Sequence, residues 1–283
     1  MSGTVTRFAP SPTGYLHRGH AFSALTAARA AGPDGRFLLR IEDIDVERCR
    51  PAFEAAILTD LAWLGLRWET PVRRQSEHMA DYQAALARLR EAGLAYRCFR
   101  TRAELAAASA SAPHGPAPAF VGEPLAPAEE ARRLEAGEPF AWRLSIAASR
   151  AHLGAAFDQL SFTETGRGPN GEQGEQPALA DAAGDIIVAR KGLGVAYHLA
   201  VVVDDALQGV SVVVRGEDLF EAARPQRLLQ ALLGLPAPVY RHHRLLAGPD
   251  GRRYAKRDQA ETLHAIRESG VSAASLRAEL GFG

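Results

Sequence analysis

The chain has almost no cysteine: Cys49 and Cys98 are the only two in 283 residues, with no Cys-x-x-Cys pair. That excludes a disulfide framework and fits a reducing, cytoplasmic compartment. It has no net charge, because Lys+Arg and Asp+Glu each total 33. No global field therefore draws the protein to nucleic acid or membrane, and a polyanionic partner has to be met by a local patch. No apolar run approaches the roughly 20 residues that span a bilayer. The N-terminus carries neither a charged n-region nor an apolar h-region, so no signal peptide is expected. Lysine is nearly missing as well: Lys191 and Lys256 stand alone among arginines. The shortage itself carries no function. A lysine retained in such a chain marks a place where a compact ammonium does what a planar guanidinium cannot, and Lys256 is the stronger of the two.

What is present begins at residue 5. The run Val5 to Phe8 meets Pro10, Pro12 and Gly14, then opens into a segment with helical spacing. The prolines forbid helix just before it, and the glycine permits a sharp turn. This predicts a strand, a turn and a helix with His17 and His20 at the helix mouth. Helix N-termini attract phosphate through outward-pointing N–H groups and the macrodipole. Histidines three apart share a face, so both rings can reach one anion, and Gly19 between them would let a flat base lie against the backbone.

Further on, Phe37 to Ile41 predicts a buried strand ending in acidic residues, and Pro51 the start of a helix striped by Phe53, Ile57, Leu61 and Leu64. Ser76 is expected to cap a helix carrying Tyr82, Leu86 and Leu89. Alternating strands and helices argue for a doubly wound parallel α/β sheet. From Thr101, which with Glu104 forms a capping box, the chain turns Ala/Ser/Pro-rich. Thr163 to Gln176 reads as a loop. Apolar β-branched runs return at Ile186–Val188, Val201–Val203 and Val210–Val214. The expected organisation is a split catalytic domain (1–96 and 191–238), an inserted α+β subdomain (97–190), and a C-terminal part (239–283) with basic loops and short helices.

Several stretches together resemble one family. His17–Arg18–Gly19–His20 is similar to the HIGH signature of class I aminoacyl-tRNA synthetases. RFAPSPTG, LRIEDID, YHLAVVVDD and VVRGEDL resemble the glutamyl branch, and RRYAKRD resembles its second, KMSKS-type signature. The resemblance runs in order through most of residues 5–260. It implies a Rossmann-like catalytic domain, an inserted subdomain like those that bind the tRNA acceptor end, and ATP with Mg2+. The chain stops where a full-length glutamyl enzyme would add its anticodon-reading half. That likeness is to the short paralogues, which join glutamate to the queuosine base in the anticodon of tRNA(Asp). The implied partners are L-glutamate and the tRNA(Asp) anticodon stem-loop, with no membrane, and a monomer is expected. Arg241, Arg244 and Arg252 are candidates for phosphate contacts there. A truncated enzyme charging a tRNA 3′ end, and a silent paralogue binding tRNA or amino acid, remain open.

The chemistry agrees. Forming an acyl-adenylate needs no protein nucleophile, since the amino acid's carboxylate attacks the α-phosphate. Catalysis is then positioning and charge stabilisation. His17 and His20 can supply donors at the α-phosphate, and Lys256, within GPDGRRYAKRD, a point charge on the β- and γ-phosphates. Arg18 replaces the usual apolar residue of the first signature and should point to solvent or phosphate; Ala255 stands where the second usually has serine. By resemblance, Arg7, Ser11, Glu42, Tyr197 and Arg215 match the glutamate pocket, with Glu42 the partner of the α-ammonium. Arg215 is favoured for the side-chain carboxylate, because arginine offers a bidentate fork, although sequence does not divide the work between it and Arg7. Asp204–Asp205 reads as structural rather than metal-binding. Relatives often carry a zinc on Cys-x-Cys and Tyr-x-x-x-Cys; here Cys98 matches, but Arg100, Phe120 and Pro124 take the other positions. With His114 the only nearby substitute, no zinc is expected, and apolar packing around Leu105, Phe120, Leu134 and Trp142 should hold the insertion.

Overall fold

The computed structural model describes residues 3–101, 104, 120–191, 194–246 and 261–283. Strand β1 (Val5–Phe8) leads to helix α1 (Arg18–Ala31), β2 (Arg36–Ile41) and α2 (Pro51–Trp63). After the short β3 (Arg73–Arg74) come α3 (Met79–Glu91) and β4 (Ala95–Cys98). The middle of the chain holds α4 (Pro127–Glu135), β5 (Ala141–Leu144), α5 (Ile146–Leu153), β6 (Ser161–Glu164), β7 (Gly174–Pro177) and β8 (Ile187–Arg190). Helix α6 (Tyr197–Leu207), β9 (Val212–Gly216), α7 (Ala223–Leu233) and β10 (Val239–His243) follow, and then the short α8 (Leu263–Glu268) and α9 (Ala273–Glu279).

Strands β1, β2 and β3 pair in parallel, as do β9, β10 and β6. The two halves meet where β1 runs beside β9: Ser211 N donates to Val5 O at 3.0 Å, and Val5 N to Ser211 Oγ at 2.9 Å. Helices cover both faces. On one, Leu25 of α1, Ile57 and Leu61 of α2, Ile266 of α8 and Leu276 of α9 pack with Leu39 and Ile41 of β2. Another core gathers Tyr82 and Leu89 of α3, Leu199 and Val203 of α6, and Leu228 and Leu229 of α7. Truncating one fully buried leucine here, such as Leu61 to alanine, should cost about 2–5 kcal/mol. The expected doubly wound α/β architecture is the one observed.

The apolar run Val201–Val203 lies inside α6 with all three valines buried, a helix wrapped by core. Three local expectations need correction. Ser76 caps no helix: it sits in a 3-10 turn before α3 and gives its hydroxyl to Asp43. Thr163–Gln176 is not one loop, since β6 and β7 enter it from either end and pair antiparallel. The expected 97–190 unit is also not self-contained, because its β6 pairs with β10 of the C-terminal part, and β4, which straddles the expected boundary at 97, joins β5 and β8 in a separate antiparallel sheet. Thr101 and Glu104 do make the reciprocal bonds of a capping box.

Candidate active site

The first signature is held by its own histidines. His17 is the N-cap of α1, and its Nδ1 accepts from Gly19 N at 3.1 Å. His20 Nδ1 accepts in turn from His17 N at 3.1 Å, completing a capping box with the rings 3.8 Å apart. A neutral imidazole nitrogen that accepts carries no proton, so the proton of each ring is on Nε2. The helix cap thereby turns both rings into oriented N–H donors at a helix N-terminus. Gly19 is also crowded from within the signature. A Cβ there would lie 3.0 Å from His17 Cε1, so the glycine makes room for the His17 ring before any base. Arg18 makes surface ion pairs with Glu261 at 3.0 Å and Glu279 at 3.2 Å.

Lys256 lies outside the described residues, as do Ala255 and Arg252. Both flanks of that segment are anchored near the first signature. His243 at the end of β10 reaches Ser23 of α1 at 3.1 Å, Thr262 bridges His17, and Leu263 N donates to Leu16 O at 2.7 Å.

The two pocket arginines sit at the carboxyl ends of the adjoining strands β1 and β9, the crevice where open α/β sheets bind ligands. Their surroundings differ. Arg7 is already engaged: Nε meets Asp205 Oδ1 at 3.0 Å, Nη2 meets Oδ2 at 3.5 Å, and Nη1 donates to Val214 O. Asp205 is shared with the fully buried Arg40 at 2.7 Å, which also holds Glu42 at 3.2 Å and Asp204 at 3.5 Å. Burial would push the Asp205 carboxyl up, but Arg7 and Arg40 outweigh it and hold it below the usual range. For Glu42 burial wins, and its carboxyl titrates above the usual range despite Arg40 and Arg7. Asp204 takes Arg73, Gln75 and Tyr82, so the aspartate pair is structural, as its sequence setting implied.

Arg215 is buried yet differently held. Nε donates to His242 Nε2 at 3.0 Å and Nη1 to Gln226 Oε1 at 2.8 Å, while Nη2 is buried with no hydrogen-bond partner among the described residues. The start of α6 faces it. His198, whose Nδ1 is also buried without a partner, is pushed down to about 4 by burial and by the Arg215 charge. Tyr197 beside it is 37% exposed, and Ser11 is exposed at the turn after β1. Sequence reasoning missed Arg40, Glu164, Gln226, His198 and His242. Only Arg40, a charge in the middle of the apolar run Phe37–Ile41, carries a local signal; the others act through partners distant in sequence.

Around Cys98 the structure stacks arginines on aromatic rings. Arg100 lies over Phe120 at 5.7 Å, Arg143 over the same ring at 4.4 Å, Arg97 over Trp142 at 4.6 Å and Arg133 over Phe99 at 5.6 Å. The expected apolar packing is thus corrected in kind: Phe120 and Trp142 are used, but Leu134 is 37% exposed. Leu105 and His114 lie outside the described residues. Arg241 is exposed on β10, and Arg244 stacks over Phe22 at 5.4 Å.

A first helix capped by its own histidines thus follows β1, and two buried arginines lie at the carboxyl ends of β1 and β9 in a doubly wound sheet. Residues 4–281 match the family model for the catalytic domain of class I tRNA synthetases (E and Q), and the chain belongs to that family of ATP-using ligases. It is similar to the glutamyl-Q tRNA(Asp) synthetase of Rhodobacter capsulatus, at 47% identity over 98% of this chain and 99% of that one. Its likeness to the enzyme of that name from Nocardia farcinica is 45% over 95% of this chain and 81% of the other. It is also similar to the crystal structure of a glutamate tRNA ligase from Elizabethkingia meningosepticum in complex with its amino acid. There the TM-score is 0.74 and the identity 27%, and 90% of this chain covers 52% of that one. The chain thus spans about half the length of that solved ligase. Among the described residues no helix is long and apolar enough to cross a membrane.

Proposed function

We propose that the protein activates L-glutamate with ATP and Mg2+ to glutamyl-adenylate and transfers the glutamate to the queuosine base of tRNA(Asp). The observation that carries the amino-acid choice is Arg215: a buried cation with one nitrogen left unpaired, beside a start of α6 that supplies no competing charge. A carboxylate brought there gains a charge-assisted bond with a donor already desolvated. Glu42, at the carboxyl end of β2, would take the α-ammonium, with Ser11 and Tyr197 at the rim and Arg7 held back by Asp205. The substrate's α-carboxylate oxygen attacks the α-phosphorus, a P–O bond forms, and the bond to pyrophosphate breaks. The Nε2–H donors of His17 and His20 meet the charge that grows on the α-phosphate oxygens, and Lys256 the departing pyrophosphate. Gly19 leaves room for the His17 ring and would let the flat base of the nucleotide lie against the backbone.

The acceptor is supported by the names of the relatives that align over most of their own length. In this reading the protein works in the cytoplasm as a monomer, its catalytic domain and arginines such as Arg241, Arg244 and Arg252 meet the anticodon stem-loop, and zinc plays no part. The assay is glutamate-dependent ATP–pyrophosphate exchange without tRNA, followed by labelled glutamate with separate tRNA pools. Label on the queuosine base of tRNA(Asp) is the expected result. Label on the 3′-terminal adenosine of tRNA(Glu) would point instead to the glutamate–tRNA ligase activity named for relatives such as that of Aquifex aeolicus, 36% identical over 95% of this chain. No exchange at saturating substrates would refute the enzyme reading.

A further inference from the structure

We propose that Glu164 and His242 are positioning residues for amino-acid selection: they hold Arg215 from behind, through a neutral imidazole, so that its Nη2 is left for a substrate carboxylate. The inference rests on the glutamate-activation reading above. A guanidinium is planar, so fixing Nε and Nη1 fixes the direction of Nη2 as well. Nη1 is fixed by Gln226 on α7, and Nε by His242 on β10. An arginine can only donate, so His242 Nε2 must accept and carry no proton. The ring proton is then on Nδ1, which faces Glu164 Oε2 on β6 at 2.5 Å. Glu164 is itself saturated, since Oε1 accepts from His242 N at 2.9 Å and from Gly166 N at 2.6 Å. Gly166 is required for that clamp: a Cβ there would sit 2.1 Å from His242 O. Tyr240 adds a face for the Arg215 guanidinium, 5.1 Å from its ring centre.

The contrast with Arg7 gives the arrangement its meaning. Arg7 is balanced by direct contact with both oxygens of Asp205, which occupies its fork. Arg215 is balanced by a carboxylate one imidazole further away. A carboxylate in direct contact would compete with the substrate's, whereas the His242 spacer supplies the countercharge and leaves a donor open. Three strands, β6, β9 and β10, are needed to bring Glu164, Arg215 and His242 together, and none of the three is near another in sequence.

The test separates the two ends of the imidazole. His242→Asn keeps a polar atom near Nδ1 for Glu164 but loses the acceptor for Arg215; His242→Gln places an oxygen near Nε2 and keeps it. In glutamate-dependent exchange, H242N should raise the glutamate KM at least tenfold and erode the preference for glutamate over glutamine. Its KM for ATP should stay within twofold. H242Q should recover most of the glutamate KM. Glu164→Gln, of equal size, should raise the glutamate KM severalfold with the same ATP independence, and serves if H242N does not fold. An active wild type whose H242N or E164Q keeps its glutamate KM, or changes both KM values alike, overturns the positioning role alone. A wild type with no glutamate-dependent exchange overturns the activation reading and this inference with it.

Discussion

Replacing Arg40 by methionine should destabilise the protein far more than any surface arginine, and in a pH-dependent way. The side chain has no solvent exposure and touches three carboxylates, Asp205 at 2.7 Å, Glu42 at 3.2 Å and Asp204 at 3.5 Å, as well as Gln208 at 3.0 Å. Methionine keeps much of the aliphatic bulk, so the loss reports mainly the charge. Arg7 still pairs with Asp205 and Arg73 with Asp204, but Glu42 loses its hydrogen-bonded cation. Breaking a buried ion pair from one side costs about 3–5 kcal/mol, a large part of the roughly 5–15 kcal/mol that holds a domain together. At urea slopes of about 1–3 kcal/mol/M, the unfolding midpoint should fall by about 1 M or more. The pH dependence follows from the direction of each shift. Glu42 titrates above the usual range when folded, so its contribution favours the fold at low pH and is lost as pH rises through that raised value. Asp205 titrates below the usual range, so its contribution is present above its unfolded value and lost as pH falls through the depressed one. Without Arg40 the Glu42 effect grows, and the deficit against wild type should shrink as pH is lowered from about 8 towards 5. A deficit under about 1 kcal/mol at neutral pH, or one that does not change with pH, would refute the account of this network.

Alanine at His20 should lower kcat for pyrophosphate exchange by about 10²–10³, the range for one lost transition-state donor, with a smaller change in the ATP KM. Lys256→Ala should cost about 2–4 kcal/mol of transition-state binding, measured as kcat/KM, for the same reason. Elemental analysis of protein purified without chelator should find far less than one zinc per chain. Stoichiometric zinc that is lost together with stability on Cys98→Ser would overturn the arginine–aromatic account of that region. His198 should titrate by NMR near 4; since the folded ring resists protonation that the unfolded chain accepts, it withdraws stability as pH falls below its ordinary value of about 6.5.

The site was partly legible in one dimension because some of its parts are local. A strand, two prolines and a capped helix put His17 and His20 at a helix mouth whatever the rest of the chain does, since a capping box spans only four residues. The apolar periods of Phe37–Ile41, Pro51–Leu64 and Tyr82–Leu89 likewise set the elements that cover the sheet. Motif order pointed to Arg7, Glu42 and Arg215 as candidates, and the structure places them at the carboxyl ends of β1, β2 and β9. The run Val201–Val203 left its element type open, because a helix buried all round shows the same apolar run as an inner strand. What neighbours each arginine lay beyond sequence. Arg7 and Asp205 are 198 residues apart, Glu164 and His242 are 78 apart, and only the packing of α6 and β10 against β1 and β9 brings them together. That packing decided that Arg7 pairs with Asp205 while Arg215 Nη2 is buried with no hydrogen-bond partner among the described residues. It also set the pairing of Arg18 with Glu279, which ties α1 to α9. Local spacing determines where a backbone turns and which face is apolar; the partner of a buried charge is set by whichever distant strand or helix removes the water around it.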